Sequence, residues 1–289
     1  MDEELKYWLA AIIGSPMISA RPLSGGDISE AWLLETARQR LFCKLNSGPE
    51  ALNMFQAEKD GLEAISSTET IKTPEVLLCT KREEMAVLIM EYIEPKEPDN
   101  GEMVAFGQQL ARLHNLEQPA FGWKRDNFIG SLPQRNPRET GWPAFYTRER
   151  LLPQLVLAFD SGLLNASDIP GETVIERVVG ELCGNVRPSL VHGDLWGGNY
   201  LISSDGLAYL IDPAAYWAHS EVDLAMSRLF GGFPNSFYEG YTNVAPISPG
   251  FEERRDLYQL YYLLVHLNLF GRTYYSAVKP LLTRYFGPF

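Results

Sequence analysis

The sequence predicts an α+β fold with two lobes: a small β-rich lobe over residues 1–93 with one main helix, and a larger, mostly α-helical lobe over residues 94–289. Three observations predict it. Before residue 94, apolar and polar residues alternate in short runs, as they do in half-buried strands. One stretch among these runs, residues 50–66, has apolar residues at helical spacing instead. Beyond residue 102 the apolar spacing is helical through most of the chain.

The small lobe is expected to contain a five-stranded sheet and its helix. Residues 18–46 form three alternating runs, and Gly25-Gly26 breaks the first from the second. Leu52, Phe55 and Leu62 recur on one side of a helix, with charged residues between them. In chain order we expect a short helix, three strands, the main helix and two strands, over residues 1–14, 18–46, 50–66, 75–80 and 85–93.

The large lobe begins after a polar connection, residues 94–102 (EPKEPDNGE), whose prolines and charges predict a linker. Apolar residues then recur at helical spacing in five stretches, residues 103–116, 144–162, 172–184, 221–233 and 252–270. Two β-like runs lead into polar loops at residues 190–202 and 210–214. Because small ligands usually bind in clefts between lobes, we expect these loops to face the gap.

The composition excludes several function classes. The net charge is −12, with no basic run, so binding to nucleic acid or to an anionic membrane surface is not expected. The N-terminal apolar run is short and follows acidic residues, and no run approaches the about 18 apolar residues of a membrane span. We therefore expect a cytoplasmic protein, a monomer or weak dimer.

The cysteines do not predict a disulfide framework or a zinc site. There are three, Cys43, Cys79 and Cys183, which is an odd number at wide spacing. They are expected to be buried as small apolar residues. Cys43 lies beside Lys44, so a reactive thiol is an alternative there, but burial within a strand is the favoured interpretation.

Two polar loops carry the residues best suited to chemistry. Asp194 and Asn199 stand five residues apart in LVHGDLWGGNYLI, and Asp212 directly follows the apolar run LAYLI. Their oxygen atoms suit Mg²⁺, which prefers a few protein oxygens together with phosphate and water. A carboxylate not bound to the metal can accept a proton from an attacking hydroxyl. Either loop alone is compatible with a surface turn; both together favour a metal-dependent site.

The small lobe contributes a second set of candidates. Gly25 and Gly26 separate two strands, where exposed backbone N–H groups can bind phosphates, although a plain hairpin is an alternative. Lys44 lies on the next strand among apolar neighbours, and Glu58 lies on the following helix. A lysine there can contact α- and β-phosphates while the glutamate holds it in an ion pair. Solvated surface charge is the alternative for each residue alone.

This ordered set resembles the protein-kinase-like fold. HGDLWGGN takes the place of the H-R-D-x-x-x-x-N catalytic loop, and IDPA takes the place of D-F-G. Gly193 replaces the arginine that pairs with a phosphorylated activation loop, which argues against a phosphorylation-switched protein kinase. Small-molecule kinases of this fold, such as aminoglycoside and choline kinases, carry H-G-D.

The chain further resembles the fructosamine kinase (ketosamine kinase) family, from about Arg21 to the last helix. The resemblance lies in five segments: GGDISEAW, FGWKRDNFIGSLPQRNPRETGWPAFYTRERLLPQL, VHGDLWGGN, DPAAYWAHSEVDLAMSRLFGGFP and FYEGY. It implies ATP- and Mg²⁺-dependent phosphorylation of the 3-hydroxyl of a ketosamine, either a small molecule or an adduct on a protein lysine. The product is unstable and decomposes to free the amine, which is a deglycation repair activity.

The resemblance also implies residue roles. Asp194 is the base that orients the sugar hydroxyl, and Asn199 and Asp212 are the Mg²⁺ ligands. Lys44 holds the phosphates, Glu58 holds Lys44, and the glycine turn at Gly25 and Gly26 covers the nucleotide. Backbone groups of an interlobe hinge bind adenine, and that hinge comprises Met90, Glu91, Tyr92 and Ile93.

Three more residues are candidates for substrate contact. Trp196 is expected to form a flat wall against the sugar, with a core ring as the alternative. His219 and Glu221 are expected to hydrogen-bond the sugar or its amine, with a helix-capping cluster as the alternative. Asp223 and His192 are expected to brace and orient the catalytic loop instead.

Some relatives carry a cysteine in the glycine loop that is linked to redox control. Here the stretch is Ser24-Gly25-Gly26-Asp27, so no such switch is expected. Rival hypotheses remain at this point: a kinase of the same fold acting on an aminoglycoside, choline or homoserine, a nucleotide-binding module without catalysis, and a metal phosphoesterase.

Overall fold

The small lobe is an antiparallel sheet packed against a long helix. The computed structural model describes residues 1–23 and 29–287 of the chain. The sheet has five strands, as predicted; their spatial order is β1-β2-β3-β5-β4, and all neighbours are antiparallel. The elements of this lobe are α1 (Glu3–Ile13), β1 (Met17–Leu23), β2 (Glu30–Thr36), β3 (Arg40–Ser47), α2 (Ala51–Ser66), β4 (Val76–Arg82) and β5 (Met85–Glu91).

Strand alternation decides which side chains of the sheet face α2. Successive residues point to opposite faces, so β5 divides its apolar run between two clusters: Val87 and Ile89 pack with α1, whereas Leu88 and Met90 pack with α2. On β3, Cys43 and Leu45 point to the face of the sheet that packs on α1. Lys44, between them, therefore faces the α2 side of the sheet.

The large lobe is built mainly from helices. Thr147–Leu151 forms one turn of π-helix between two helices, and Ala166–Asp168 and Arg272–Tyr274 are 3₁₀ turns. The other elements are β6 (Pro95–Lys96), α3 (Asn100–His114), β7 (Asn127–Ile129), β8 (Leu132–Gln134), α4 (Trp142–Tyr146), α5 (Leu152–Asp160), α6 (Glu172–Cys183), β9 (Ser189–Val191), β10 (Tyr200–Ser203), β11 (Ala208–Leu210), β12 (Tyr216–Ala218), α7 (Glu221–Met226), α8 (Asn235–Thr242), α9 (Phe251–Phe270) and α10 (Tyr275–Phe286). Over residues 1–23 and 29–287, no helix combines the length and apolar character that crossing a bilayer requires.

The predicted linker over residues 94–102 is more ordered than expected. Its start forms β6, which pairs with β10 through Lys96 opposite Ile202. Its end already belongs to α3, because Asp99 caps that helix: its Oδ1 accepts from the Glu102 N–H at 2.8 Å, and its own N–H donates to Glu102 Oε2 at 2.9 Å. The D-x-x-E capping box was the sequence signal for this helix start.

The helix predicted over residues 221–233 is shorter than expected. It ends at Met226, and the chain then turns through Gly231 and Gly232, which have φ of 81° and 72°. Glycine adopts these left-handed conformations readily, and they keep the chain beyond the helix from being helical up to Phe233. The apolar residues beyond the turn pack on α3 and α8 instead of continuing the helix.

Helices α3 and α8 touch backbone to backbone. A Cβ placed on Gly107 would lie 2.0 Å from the Phe237 carbonyl oxygen, and one on Gly240 would lie 2.1 Å from the Val104 carbonyl oxygen. Neither position has room for a side chain, so the two glycines permit the close crossing. The sequence analysis did not predict α8.

Two short strand pairs present the polar loops to the cleft. β9 leads into residues 192–199, and β10 leads out of them. The β10–β11 hairpin, with Tyr200 opposite Leu210, returns the chain to residues 211–215. β12 then pairs antiparallel with β9, with Tyr216 opposite Val191. Because the strands that flank one loop pair with the strands that flank the other, the loops lie side by side.

Candidate active site

A lysine with two carboxylates joins the two lobes. Lys44 Nζ lies 2.8 Å from Glu58 Oε1 and also donates to Asp212 Oδ1. The Lys44 and Glu58 side chains are largely buried, whereas the Asp212 side chain is 41% exposed. The predicted ion pair on the small lobe is thus present, and it extends to the carboxylate of the large lobe.

Asn199 connects the two polar loops. Its Nδ2 donates to Asp194 Oδ2 at 2.9 Å and to the Asp194 carbonyl oxygen at 2.8 Å. Its own carbonyl oxygen accepts from the Ile211 N–H at 3.1 Å, one residue before Asp212. Asp194, Asn199 and Asp212 therefore converge on the side of the cleft that Lys44 faces.

Two side chains, Asp223 and Tyr262, hydrogen-bond the backbone of the catalytic loop, residues 192–199. The Asp223 carboxylate accepts from the His192 N–H at 2.7 Å and from the Gly193 N–H at 2.8 Å. The Tyr262 hydroxyl donates to the Gly193 carbonyl oxygen at 2.7 Å. Asp223 thus braces the loop as the sequence predicts. Tyr262 was missed because an apolar helical pattern gives no sign of a distant hydrogen bond.

Gly193 occupies a position that only glycine fits. Its φ is 84°, and a Cβ there would lie 2.2 Å from the Ala214 carbonyl oxygen. The loop that contains Asp212 therefore approaches the catalytic loop in direct backbone contact. The arginine of the protein-kinase motif has no room here.

His192 links the same two loops with its ring. Nε2 lies 2.8 Å from the Ile211 carbonyl oxygen, and Nδ1 lies 3.2 Å from the Asp194 N–H. The carbonyl requires a proton on Nε2 and the amide requires a lone pair on Nδ1, which fixes one neutral tautomer. Burial lowers the pKa of His192 and so favours the neutral ring. His192 orients the loop, as expected.

Burial and charge set different pKa values for the two aspartates. The pKa of Asp194 is raised to about 7, mainly by burial and in smaller part by the neighbouring Asp212 carboxylate, while the hydrogen bond from Asn199 opposes the rise. Burial acts on Asp212 in the same direction, but the Lys44 ammonium outweighs it and holds the pKa of Asp212 below its usual value. Asp194 is thus the carboxylate that can accept a proton near neutral pH.

The donor set fits Mg²⁺ bound to a nucleotide. Asn199 uses its amide nitrogen on Asp194, which leaves the oxygen Oδ1 as the remaining group of that side chain. Asp212 has a φ of 54°, a conformation uncommon outside glycine that turns its carboxylate toward Lys44. Within the described residues there is no group of three or more His, Cys, Asp or Glu side chains placed to hold a metal. Two protein oxygens completed by phosphate and water are a common arrangement for Mg²⁺.

The predicted hinge connects β5 to the large lobe. Met90 is buried between Phe42 and Val76 of the neighbouring strands, and the Glu91 N–H donates to the Glu75 carbonyl oxygen at 2.8 Å. The chain then crosses to the large lobe through Tyr92 and Ile93, of which Ile93 is buried. Adenine binding by these residues stays a prediction. Gly25 and Gly26 lie outside the described residues.

Trp196 is an exposed ring beside the catalytic loop. Its side chain is 39% exposed, which contradicts the alternative of a core ring. The indole lies over Gly198, where a Cβ would come within 2.5 Å of the ring. The ring of Phe230 meets it edge-on with centroids 6.5 Å apart. The indole is therefore held in place with one part open to solvent, and sugar contact stays a prediction.

The prediction that His219 and Glu221 contact the substrate is corrected by their position. Ala218 pairs with Ser189 at the start of β9, whereas His192 follows the end of β9. His219 therefore lies about four residues, roughly 13 Å, along the strand from the start of the catalytic loop. Both side chains are buried. The error arose because these residues follow Asp212 in the chain, but β12 carries them away from it.

Both side chains instead belong to a buried cluster, which Glu221 contacts through both carboxylate oxygens and His219 through Nδ1. Both Glu221 oxygens accept from Arg254, Oε2 from Nε at 2.6 Å and Oε1 from Nη2 at 2.8 Å. His219 Nδ1 lies 2.7 Å from the Tyr258 hydroxyl, which also accepts from Trp142 Nε1 at 3.0 Å. Burial lowers the pKa of His219 to about 3, so the ring is neutral. The cluster ties α4, α7 and α9 together.

A second buried network was not predicted. Asn127 Nδ2 donates to the Ala215 carbonyl oxygen at 3.0 Å, while Asn127 Oδ1 accepts from Gln134 Nε2 at 2.8 Å and Asn136 Nδ2 at 2.7 Å. Arg150 Nη2 donates to Asn136 Oδ1 at 2.6 Å. The network fixes residues 127–136 to the loop that follows Asp212. Isolated amides in a loop gave no sequence signal for it.

The cysteines of the described chain are free; Cys43 and Cys183 are buried, as expected, whereas Cys79 is only partly buried. Burial raises the pKa of Cys43 to about 12, so its thiol is not reactive near neutral pH. Cys43 also points toward α1, on the opposite face of the sheet from Lys44.

Comparisons with known proteins agree with this architecture. The family model described as fructosamine kinase matches residues 1–287. A Vibrio parahaemolyticus protein named "Probable ketoamine kinase" is 43% identical over 266 residues, which cover 91% of this chain and 90% of the relative. A Synechocystis protein of the same description is 40% identical over 265 residues, covering 91% and 88%.

Solved structures give the same result. A Thermobifida fusca structure named as a fructosamine-3-kinase superposes with a TM-score of 0.86 at 32% identity and covers 98% of both chains. The aminoglycoside phosphotransferase APH(4)-Ia has a TM-score of 0.61 at 16% identity, with 96% of this chain and 97% of that one covered, which shows a shared fold alone. The fold is therefore protein-kinase-like, and the chain belongs to the fructosamine kinase family.

Proposed function

We propose that the protein is an ATP-dependent kinase that phosphorylates the 3-hydroxyl of a ketosamine, the product of a ketose joined to an amine. The names of the relatives support the ketosamine as acceptor. The observation that carries the proposal is the convergence of Asp194, Asn199 and Asp212 on the cleft side of Lys44. Phosphoryl transfer depends mostly on alignment and charge neutralisation, and this arrangement provides both.

The side chains divide the work between two substrates. Lys44, held by Glu58, binds nucleotide phosphates, and the residues 90–93 bind adenine. Asn199 and Asp212 hold Mg²⁺, which when bound neutralises phosphate charge. Asp194 orients the acceptor hydroxyl and accepts its proton, a role that suits a pKa of about 7.

Trp196 supplies the acceptor side of the proposed site. Its exposed indole stands two residues from Asp194 and packs over Gly198. An aromatic face is a common surface for the apolar side of a sugar ring, and it also attracts the positive charge of a ketosamine amine. We therefore place the sugar between Trp196 and Asp194.

The chemistry of the product indicates that the reaction regenerates the amine. After the adduct enolises between C1 and C2, the 3-phosphate leaves as inorganic phosphate, and water hydrolyses the resulting imine at C1, which releases the amine and a deoxydicarbonyl sugar. Acting on a lysine adduct, the enzyme would thereby restore the unmodified side chain. Both small-molecule and protein-bound ketosamines fit an acceptor site that opens at an exposed residue.

An acceptor panel tests the proposal. The purified protein is incubated with Mg²⁺-ATP and one acceptor at a time: synthetic fructosamine and ribulosamine adducts of lysine, an aminoglycoside, choline and homoserine. Phosphorus-31 NMR follows the phosphomonoester, and amine release is measured in parallel. We expect a ketosamine phosphomonoester followed by free amine. Turnover of another acceptor in preference to both ketosamines, or ATP binding without turnover, would contradict the proposal.

A further inference from the structure

We propose that Asp60 is a positioning residue: its ion pair with Lys124 and Arg125 fastens α2 to the large lobe and thereby holds Glu58 against Lys44. The inference rests on the proposed role of Lys44 and Glu58 in nucleotide binding. Glu58 can reach Lys44 only while α2 lies close to the sheet and the cleft. Apolar packing holds α2 to the sheet, and four observations point to Asp60 as the residue that also fixes it to the large lobe.

The first observation is the ion pair itself, which joins the lobes. Asp60 Oδ1 lies 2.9 Å from Lys124 Nζ, and Asp60 Oδ2 lies 2.7 Å from Arg125 Nε. Both carboxylate oxygens are thus used, each by a different cation. The Asp60 side chain is 20% exposed, whereas those of Lys124 and Arg125 are 58% and 38% exposed, so only the carboxylate is shielded from solvent.

The second observation is the direction of the two acidic side chains on α2. Residues two apart on a helix point to nearly opposite sides. Glu58 points to Lys44 in the small lobe, and Asp60 points to the cations of the large lobe. The helix is therefore held on both sides, and rotation about its axis would break both contacts together.

The third observation is that Lys124 and Arg125 lie next to a segment that buried hydrogen bonds hold in place. Residues 127–136 follow them directly and are fixed by the buried amide network, which ends on the Ala215 carbonyl oxygen. Asn127, Gln134 and Asn136 are all nearly inaccessible to solvent. Lys124 and Arg125 are thus positioned relative to the loop that carries Asp212.

The fourth observation is a close approach beside the ion pair. A Cβ on Gly61 would lie 2.9 Å from Pro213 Cγ and 3.3 Å from Ala215 Cβ. α2 therefore rests on the loop that follows Asp212, and Asp60 holds it there. Gly193 replaces the arginine that would bind a phosphorylated activation loop. The Asp60 ion pair therefore fixes the position of α2 without a phosphorylation switch.

A double-mutant cycle tests the inference. The variants are Asp60→Asn, Glu58→Gln and the two combined, and the measured quantity is the Kd of a fluorescent ATP analogue with Mg²⁺. We expect D60N to weaken binding roughly threefold to tenfold in the otherwise unchanged protein, since a partly buried pair shared by two cations is lost. In the E58Q background the same change should have no further effect.

Two further variants control the experiment. Glu63→Gln removes a carboxylate from the same helix, where its partner is Lys59 of α2 itself, and should leave the Kd unchanged. Lys124→Gln combined with Arg125→Gln removes the Asp60 ion pair from its other side and should reproduce D60N. This pair of changes also keeps the inference testable if D60N does not fold, which thermal denaturation would show.

The outcomes are distinguishable from those of the acceptor panel. An equal loss of affinity for D60N in both backgrounds would mean a general structural role and would overturn the inference, as would no loss in the unchanged protein. Because nucleotide binding is measured without an acceptor, failure of ketosamine turnover leaves the cycle interpretable. A protein that binds no nucleotide at all would overturn both proposals.

Discussion

Two clusters of polar side chains in this protein look alike in sequence. They differ in whether their charges are balanced within the cluster. The cleft cluster comprises Lys44, Glu58, Asp194, Asn199 and Asp212, and the buried cluster comprises Trp142, Cys183, His219, Glu221, Arg254 and Tyr258. Each contains charged residues from motifs that the sequence analysis singled out. In the buried cluster Glu221 and Arg254 neutralise each other, and each Glu221 oxygen has a donor.

The cleft cluster is not neutral by itself. The cluster holds three carboxylates, those of Glu58, Asp194 and Asp212, and one ammonium group, that of Lys44, which contacts Glu58 and Asp212. Excess negative charge in a partly buried site is costly unless a cation completes it. A polar cluster whose charges balance within the protein therefore stabilises the fold. A cluster with unbalanced charge indicates a ligand, here a divalent ion with its nucleotide.

The largest expected effect comes from removing the proton acceptor of the cleft cluster. Asp194→Asn should lower kcat about 10²- to 10⁴-fold, the range for losing a general base, while the Kd for Mg²⁺-ATP changes little. Asn keeps the shape of the side chain and its contact with Asn199. Steady-state kinetics and nucleotide titration measure the two quantities. Near-normal turnover in this variant would refute the role of Asp194.

The buried cluster should respond in stability and not in turnover. Glu221→Gln leaves the Arg254 charge without its partner, so we expect a loss of about 3–5 kcal/mol in the free energy of unfolding. Glu221→Leu combined with Arg254→Met should recover most of it, since the two charges go together. Urea denaturation measures both variants. The fraction that folds should keep its KM for the ketosamine; a raised KM would restore the substrate role for Glu221.

A smaller effect is expected in the pH dependence of kcat/KM, which should change about tenfold per pH unit. Asp194 accepts a proton only when ionised, and its pKa is about 7. kcat/KM for the acceptor should therefore fall tenfold per unit below about pH 7 and level off above it. The residual activity of D194N should lack this limb. A flat profile from pH 5 to 8 in the unchanged protein would contradict the assignment.

The same raised pKa has an opposite consequence for stability. A carboxyl whose pKa is higher in the folded state than in the unfolded state destabilises the fold as pH rises, from its unfolded pKa up to its folded one. Asp194 therefore costs stability at pH 8, and D194N should have the higher Tm there. The difference should be small near pH 4, where the folded state is protonated and the unfolded state is about half protonated, and thermal melts at the two pH values check it.

Local patterns were sufficient for much of the fold and of the cleft cluster. Strand alternation placed Lys44 between buried neighbours, and helical spacing placed Glu58 on α2, so their pairing needed only adjacent elements. The catalytic loop and the Asp212 loop are short and flanked by strands that pair, which brings them together. These features depend on residues close in sequence or on one sheet register.

Contacts between distant segments could not be predicted in the same way. His219 and Glu221 follow Asp212 in the chain, but the register of β12 with β9 carries them away from the cleft. Asn127 finds its partner at Ala215, 88 residues later, and no local pattern marks that bond. The α3–α8 crossing depends likewise on glycines in two separate helices. Such pairings are fixed by tertiary packing and become visible only in three dimensions.

Metal–nucleotide binding by two matched variants tests the distinction between the two clusters most directly. Asp212→Asn and Glu221→Gln each neutralise one carboxylate that pairs with a basic side chain, in the cleft cluster and the buried cluster respectively. Titration with Mn²⁺-ATP, followed by water proton relaxation, reports the bound ion in each folded variant. We expect D212N to lose metal binding and E221Q to keep it. Metal binding that survives in D212N, or disappears in folded E221Q, would contradict the distinction between the two clusters.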